Sequence, residues 1–427
     1  MIPVYYDSNN NVWKKADINN HKDKYKWYDY DNKMWANSVT VSSTNRSTYQ
    51  KASLGTEIPM DDILTMEVWI PRYKYKVWNY NANGTKTSSP QEIKITFENE
   101  TNKTGEITCS DSINGTDGKS SETCKLKSTK ATCTDSLCNN KTYTHPAFTF
   151  GDKEIKGFWI GKFELTGTIS SITTKPNLSS IRDQSVSTFE TNIMNMKNSG
   201  NRYGFSTNTD THMIKNIEWG AVAYLSHSKY GTCTSGSCKE IGINNNSNLI
   251  TGCGASSGSP SSTTCNTYNT SNGMLASTTF NIYGVYDMSG GANDYTMGNV
   301  VYTDAKTFIS GYDESYNSGY SGLLYNSGSF SSYRGISYPD AKYYDKYNYG
   351  VRELSRARSK LGDGIKEFYI ENDYGWYGDF SRLANSSYSW FVRSGYYGDG
   401  NYAGIFFSYD ANGRVYVNYS TRLIIVP

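Results

Sequence analysis

The side chains able to do chemistry are few and far apart. His21, His145, His212 and His227 are the only histidines in 427 residues, and no two sit at metal-ligand spacing. His227 falls on a predicted helix, where a lone histidine is more often packed or solvated than a general base. No nucleophile elbow is supported: Gly254-Ala255-Ser256-Ser257-Gly258 is a low-complexity loop whose serines have no evident base. Asn372-Asp373 and Asp410-Ala411-Asn412-Gly413 offer oxygen ligands of the kind calcium takes. The second resembles half an EF-hand loop, yet no Glu follows at the required distance, and Asn-Gly is first of all a hairpin-turn signal. The residues therefore predict no catalytic group, no metal and no cofactor.

Eight cysteines remain to be explained. Cys109, Cys124, Cys133 and Cys138 lie in one stretch rich in Ser, Thr, Lys and Asn; Cys233, Cys238, Cys253 and Cys265 lie in a second. Neither stretch has an apolar period that would bury a free thiol. Zinc fits poorly, because the four-residue spacing is loose and no histidine lies in either stretch. A disulfide restricts the unfolded chain where no core can form. Many connectivities are open; sequential pairing (109–124, 133–138, 233–238, 253–265) is the simplest. Disulfides imply an oxidising place: the cell surface, the secreted space or an exported particle. Met1-Ile2-Pro3-Val4-Tyr5-Tyr6 has no signal-peptide pattern, so export implies a leader removed from this sequence or another route.

Composition narrows the partners. The net charge is +2, from 42 Lys+Arg and 40 Asp+Glu, which gives no field for nucleic acid or anionic lipid. No apolar run reaches the ~18 residues of a membrane span. Hydrophobic (37%) and charged (19%) residues are both low, and the 15% aromatic content argues against disorder. Ser, Thr, Gly, Asn and 38 tyrosines fill the gap.

Short elements must position whatever these tyrosines do. Residues 1–60 read as a small aromatic, β-rich N-terminal unit, in which 25–37 form two strands around an Asp-Asn turn. Met66–Pro71 is a strand that Pro71 ends or demotes to an edge. Residues 157–167 read as a buried strand. Ser187-x-x-Glu190 is a candidate capping box for a helix bearing Val186, Phe189, Ile193 and Met196. Ile217, Trp219, Ala221, Val222 and Leu225 mark a second helix, stopping near Lys229-Tyr230-Gly231. Residues 100–143, 232–275 and 300–349 are insertions, and 350–427 alternates aromatic runs with Gly turns. The sum is α+β: two main helices, many short strands and long loops.

Four of these runs together resemble a known superfamily. Gly157-Phe158-Trp159-Ile160-Gly161-Lys162-Phe163-Glu164-Leu165-Thr166 looks like the f-x-i-g-k-y-E-v-T motif of formylglycine-generating enzymes (sulfatase-modifying factors). Asn216–Leu225 is similar to their n-v-s-W-x-d-A-x-x-y helix, and Asn281–Tyr295 to N-x-x-G-l-y-D-M-x-G-N-v-w-E-W. Trp390-Phe391-Val392-Arg393-Ser394-Gly395, then Ala403–Phe406, Gly413 and Arg422, resembles the w-x-x-R-G-G … f-R ending. The resemblance runs from about 62 to 427 in chain order and implies the formylglycine-generating-enzyme variant of the C-type lectin fold over 61–427. It departs where the enzyme works. Residues 385–427 contain no cysteine, Asn293 and Asp294 replace the Trp and Glu of w-E-W, and Ser394 and Thr421 replace a Gly and the last Phe. A formylglycine-type oxidase is thus the weakest reading.

The same C-terminal ending resembles that of the variable proteins of diversity-generating retroelements. There, adenine mutagenesis of a template turns Asn codons into Tyr, Asp, Ser, Gly and similar residues within a fixed frame. In 374–419 the fixed-looking positions are Trp390, Arg393, Gly395, Gly400, Ala403, Gly404, Phe406 and Gly413. Between them stand Tyr396, Tyr397, Asp399, Asn401, Tyr402 and Tyr409, then Asp410, Asn412, Arg414, Tyr416, Asn418 and Tyr419. Tyr374, Trp376, Tyr377, Asp379, Ser381 and Tyr388 could extend the surface, although Trp cannot arise from an Asn codon. Tyr supplies large, rigid contacts at low entropy cost, while Ser, Gly, Asn and Asp adapt by hydrogen bonding; this is the composition of a paratope. The resemblance implies a non-catalytic receptor or adhesin binding an unidentified protein or glycan on another cell or phage. Its N-terminal side would join an anchor or pilus. A non-diversified structural or adhesive surface protein is the alternative. Tyr396, Tyr397, Tyr402 and Tyr416 should share one exposed face, with Trp390, Arg393 and Phe406 buried.

Overall fold

Runs of β-branched and aromatic residues separated by Gly, Asn and Asp turns favour short paired strands over helices. The computed structural model describes residues 1–20, 23–79, 89–110, 123–126, 138–254, 261–301, 315, 317–348, 359–368 and 373–427. In chain order its framing elements begin with β1 (Ile2–Asp7), β2 (Val12–Lys15), β3 (Asn37–Val41), α1 (Ser43–Lys51) and β4 (Ile63–Pro71). They continue with β5 (Gly157–Gly161), α2 (Val186–Asn195), β6 (Asp210–Met213) and α3 (Asn216–Ser226). The last are β7 (Asn293–Val301), β8 (Asp345–Asn348), β9 (Trp390–Ser394), β10 (Gly404–Ala411) and β11 (Leu423–Val426). The architecture is strand-rich and loop-rich with few helices, compatible with α+β.

Seven antiparallel strands form one sheet in the order β6-β11-β5-β4-β3-β1-β2. A second sheet runs β8-β7-β9-β10, and the two-residue strand Tyr419–Ser420 lies parallel to the start of β7. Short strands between 73 and 144 make a third. The boundary expected at 60 falls inside the first sheet. β3 pairs with β4 across it, so the first sixty residues extend the sheet.

Several local expectations need correction. Residues 25–37 make one internal bridge, between Asp29 and Met34 around a 3-10 turn, Tyr30–Asn32, and a second from Lys26 to Asp17, rather than two strands. β4 is central, not an edge, and Pro71 is its last residue, where a missing N–H costs no ladder bond. The 157–167 run breaks after Gly161, and Lys162, Phe163 and Glu164 turn into the interior. α2 is capped by Ser185, whose Oγ accepts from the Thr188 N–H, instead of by Ser187. Glu190 is thereby released to accept from the Met213 N–H at 2.6 Å. α3 stops at Ser226, short of Gly231. α1 has no apolar period and buries nothing, so the sequence carried no signal for it.

Trp219, on the wholly buried α3, organises the centre. Its indole N–H donates to the Ile405 carbonyl at 2.7 Å. The guanidiniums of Arg393 and Arg422 lie 5.5 and 5.8 Å from its ring. Behind it the charged members of three motifs meet, all buried. Arg422 Nε donates to Asp294 at 2.7 Å, while Glu164 and Asp287 are close enough for their charges to act on Asp294 and on each other. Glu164 accepts from the Ala292 N–H at 2.9 Å, and Asp287 from Asn244 Nδ2 at 2.8 Å and the Gly252 N–H at 2.9 Å.

The buried ionisable groups set a pH dependence. Burial pushes the carboxyls of Glu67 and Glu190 up to about 8. Burial works against charge on His212, but Glu218 at 3.0 Å and Asp210 raise it to about 9. The raised carboxyls cost stability as pH climbs from their unfolded value to about 8. The raised histidine stabilises fully below its unfolded value and loses that contribution as pH passes about 9. Both effects point downward; buried Lys162, pushed well below its usual range, opposes them. The denaturant midpoint is expected to fall between about pH 6.5 and pH 9, and Glu190→Gln to flatten the slope. A midpoint that rises over this range would contradict the assignment.

Candidate ligand-binding site

β9 and β10 form an antiparallel pair whose alternation divides their side chains between two faces. Phe406 points into the core beside Trp219 and Trp376, and Phe407, next in sequence, packs in the cluster on the other face. Trp390, Arg393 and Phe406 are all buried. Arg393 is fixed entirely by carbonyls, donating to Phe407 at 2.7 Å, Asp363 at 2.9 Å and Gly364 at 3.1 Å. Two frame glycines have steric reasons. A Cβ on Gly404 would meet the Asp379 carboxyl at 2.1 Å, and one on Gly413, which sits at φ +80°, would meet the Trp390 ring at 2.7 Å.

On the outer side this frame carries a groove of about 460 Å³. β10 supplies Phe407 and Tyr409, and the turn after 373 supplies Tyr374 and Phe380. The loop between β9 and β10 supplies Tyr396, Asp399 and Tyr402, while Asn293 and Tyr419 complete the lining. The rings hold one another. Phe380 lies 5.5 Å from Tyr409 and 5.8 Å from Tyr374, and Tyr374 lies 5.8 Å from Tyr402. Tyr402 is 53% exposed, so it is the most open of these rings.

Asp399 is the one carboxylate among the described lining residues. Its Oδ2 accepts from the Tyr396 N–H at 2.9 Å, and no ion pair reaches it among the described residues. Burial pushes it up to about 6, against the lowering by that hydrogen bond. Arginines already use neighbouring tyrosine faces: Arg382 lies 5.7 Å from the Tyr409 ring and Arg414 lies 4.6 Å from that of Tyr416. Neither lines the groove.

The predicted surface residues divide. Tyr396, Asp399, Tyr402 and Tyr409 line the groove. Half-buried Tyr397 and Tyr416 join it through ring contacts, 5.1 Å to Tyr396 and 4.6 Å to Tyr419. Of the four tyrosines expected to be exposed, only Tyr402 is; the other three are half-buried against one another and their neighbours. Asn401 is exposed, and Tyr388 and Asn418 are half-buried outside the lining. Arg414 lines a separate depression with Ser185, Asn317 and Val415.

Others are interior. Trp376 is fully buried, stacked 5.7 Å from Trp78, because an indole this large gains more from the core than from water. Asp379 is fully buried as an acceptor for the Phe406 N–H at 2.9 Å; burial, then the charge of Glu240, push its carboxyl well up. Asp410 is buried against Asn385 at 2.5 Å, and Asn412 is buried while accepting from the Arg414 N–H at 3.2 Å in a turn. Tyr377 is half-buried at φ +62°, its hydroxyl donating to the Cys238 carbonyl at 3.3 Å, and Ser381 is buried. Phe380, Phe407 and Asn293 were missed. The alternation Phe406-Phe407 on a strand was the signal available for Phe407.

Disulfides join Cys233 to Cys238 and Cys253 to Cys265. Cys109 and Cys124 face each other in strand register, and Cys138 is disulfide-bonded. Cys133 lies outside the described residues, as do His21 and Asn372. His227 is a core residue, packed 4.7 Å from Phe406 and held neutral by burial, down to about 3. Among the described residues no group of three or more His, Cys, Asp or Glu side chains is arranged to hold a metal, and no helix is long and apolar enough to cross a membrane. Comparison of the chain with known protein families and with curated proteins finds no match.

Proposed function

We propose that this is an exported, non-catalytic binding protein of receptor or adhesin type, with 374–419 as its binding segment. The observation that carries the reading is the groove. Rings from four separate stretches of this segment converge on one partly open surface, over a frame of buried Trp390, Arg393 and Phe406. Its volume falls in the range of small-ligand sites, and its aromatic lining with few polar groups has their usual chemistry. The disulfides support an oxidising location. The resemblance to diversity-generating-retroelement variable proteins adds that the groove positions are exchangeable while the frame is fixed, on a lectin-type fold.

Sequencing the locus tests diversification. The expected result is a near-identical copy of the DNA for 374–427, differing at adenines, beside a reverse-transcriptase gene. A locus with no such copy would leave a binding protein of fixed specificity.

A further inference from the structure

We propose that the groove takes a quaternary ammonium group of the choline type. The inference deepens the binding-site reading above and rests on it. Two features select a cation over a neutral ligand. First, seven aromatic rings of the described residues line the groove, and ring faces carry negative quadrupoles that attract cations, most strongly when water is excluded. Second, among the described residues the lining includes a carboxylate, Asp399, and no Lys or Arg. Asp399 has no ion-pair partner among the described residues, so its charge is available to a ligand.

The surroundings agree. Arg382, which lies over the Tyr409 ring, is drawn to Asp410 at 3.6 Å, and Arg414 lies over Tyr416, outside the lining. Both show that these tyrosines accept cationic groups at their faces. A primary ammonium needs about three acceptors grouped around one point to replace its water, whereas among the described lining residues the negative charge comes from Asp399 and the rest of the wall is mostly ring. A methylated ammonium needs no hydrogen bonds, spreads its charge over methyl groups, and matches a wall of rings with one counter-charge.

The test is calorimetric titration of the full chain with choline, with 3,3-dimethyl-1-butanol (the same shape without the charge) and with galactose. Choline is expected to bind saturably and at least about tenfold more tightly than the neutral isostere. Asp399→Asn keeps an acceptor for the Tyr396 N–H, so the fold is retained. It is expected to weaken choline by about tenfold, leave the isostere unchanged and keep the melting temperature of the parent. Equal binding of choline and the isostere, or no saturable choline binding, would overturn the proposal. Saturable galactose binding without choline binding would also overturn it, while leaving the groove as a binding site.

Discussion

Arg422→Met is expected to lower the unfolding free energy by about 3–5 kcal/mol at neutral pH. The guanidinium is fully buried, as is Asp294, which it meets at 2.7 Å. Glu164 and Asp287 add two more buried carboxyls, and for each of the three the Arg422 charge favours the ionised form against burial. Burial has pushed Asp294 up to about 6 even with Arg422 present. Without the guanidinium these groups must take up protons or remain charged in a dry interior, and either outcome costs more than the loss of one surface pair. Two controls separate charge from packing. Acidification to about pH 4 protonates the carboxyls and should shrink the deficit, whereas a packing loss would persist. Adding Asp294→Asn should restore part of the stability, since it removes the charge left unpaired. Denaturant midpoints at the two pH values read both effects. A deficit independent of pH would show that Arg422 acts by filling space beside Trp219.

The elements that were legible in the sequence are those in which apolar spacing and burial coincide. Val186, Phe189 and Ile193 on α2 and Met196 at its C-cap recur at helical spacing and all lie inside. Loop cysteines at short separation found their partners in 233–238 and 253–265 because a short loop leaves few alternatives. Polar residues that work as internal connectors were not legible. Asp379, Asp410 and Asn412 have the composition of a variable surface, yet each is buried because its side chain satisfies a neighbouring group of an irregular loop, which no periodicity reports. Tyrosine number alone did not mark the face. Tyr320 and Tyr338 stack on Trp390 at 5.9 and 6.1 Å, so the tyrosine-rich 317–348 segment partly builds the inner support of β9. What distinguished groove tyrosines from core tyrosines was the loop and strand face carrying them, and that depends on β7, β9 and β10 assembling across a hundred residues of chain.

Trp376 and Tyr402 draw the line between frame and face. Both belong to the segment 374–419 and both were candidates for ligand contact. Trp376→Ala is expected to cost about 3–5 kcal/mol. Its fully buried indole touches Trp78, Phe368 at 4.7 Å and Phe406 at 5.7 Å, so truncation leaves a cavity walled by rings that cannot collapse into it. Tyr402→Ala is expected to stay within about 0.5 kcal/mol of the parent, as surface substitutions do. That ring is 53% exposed, at the tip of a 3-10 turn, with Tyr374 at 5.8 Å as its ring contact. Urea unfolding of the two variants measures the contrast directly. The reading of an exchangeable face on a fixed frame requires the contrast, because a position that tolerates many residues cannot carry the fold. A loss at Tyr402 comparable with that at Trp376 would make the groove rings part of the core and remove the argument for a binding face.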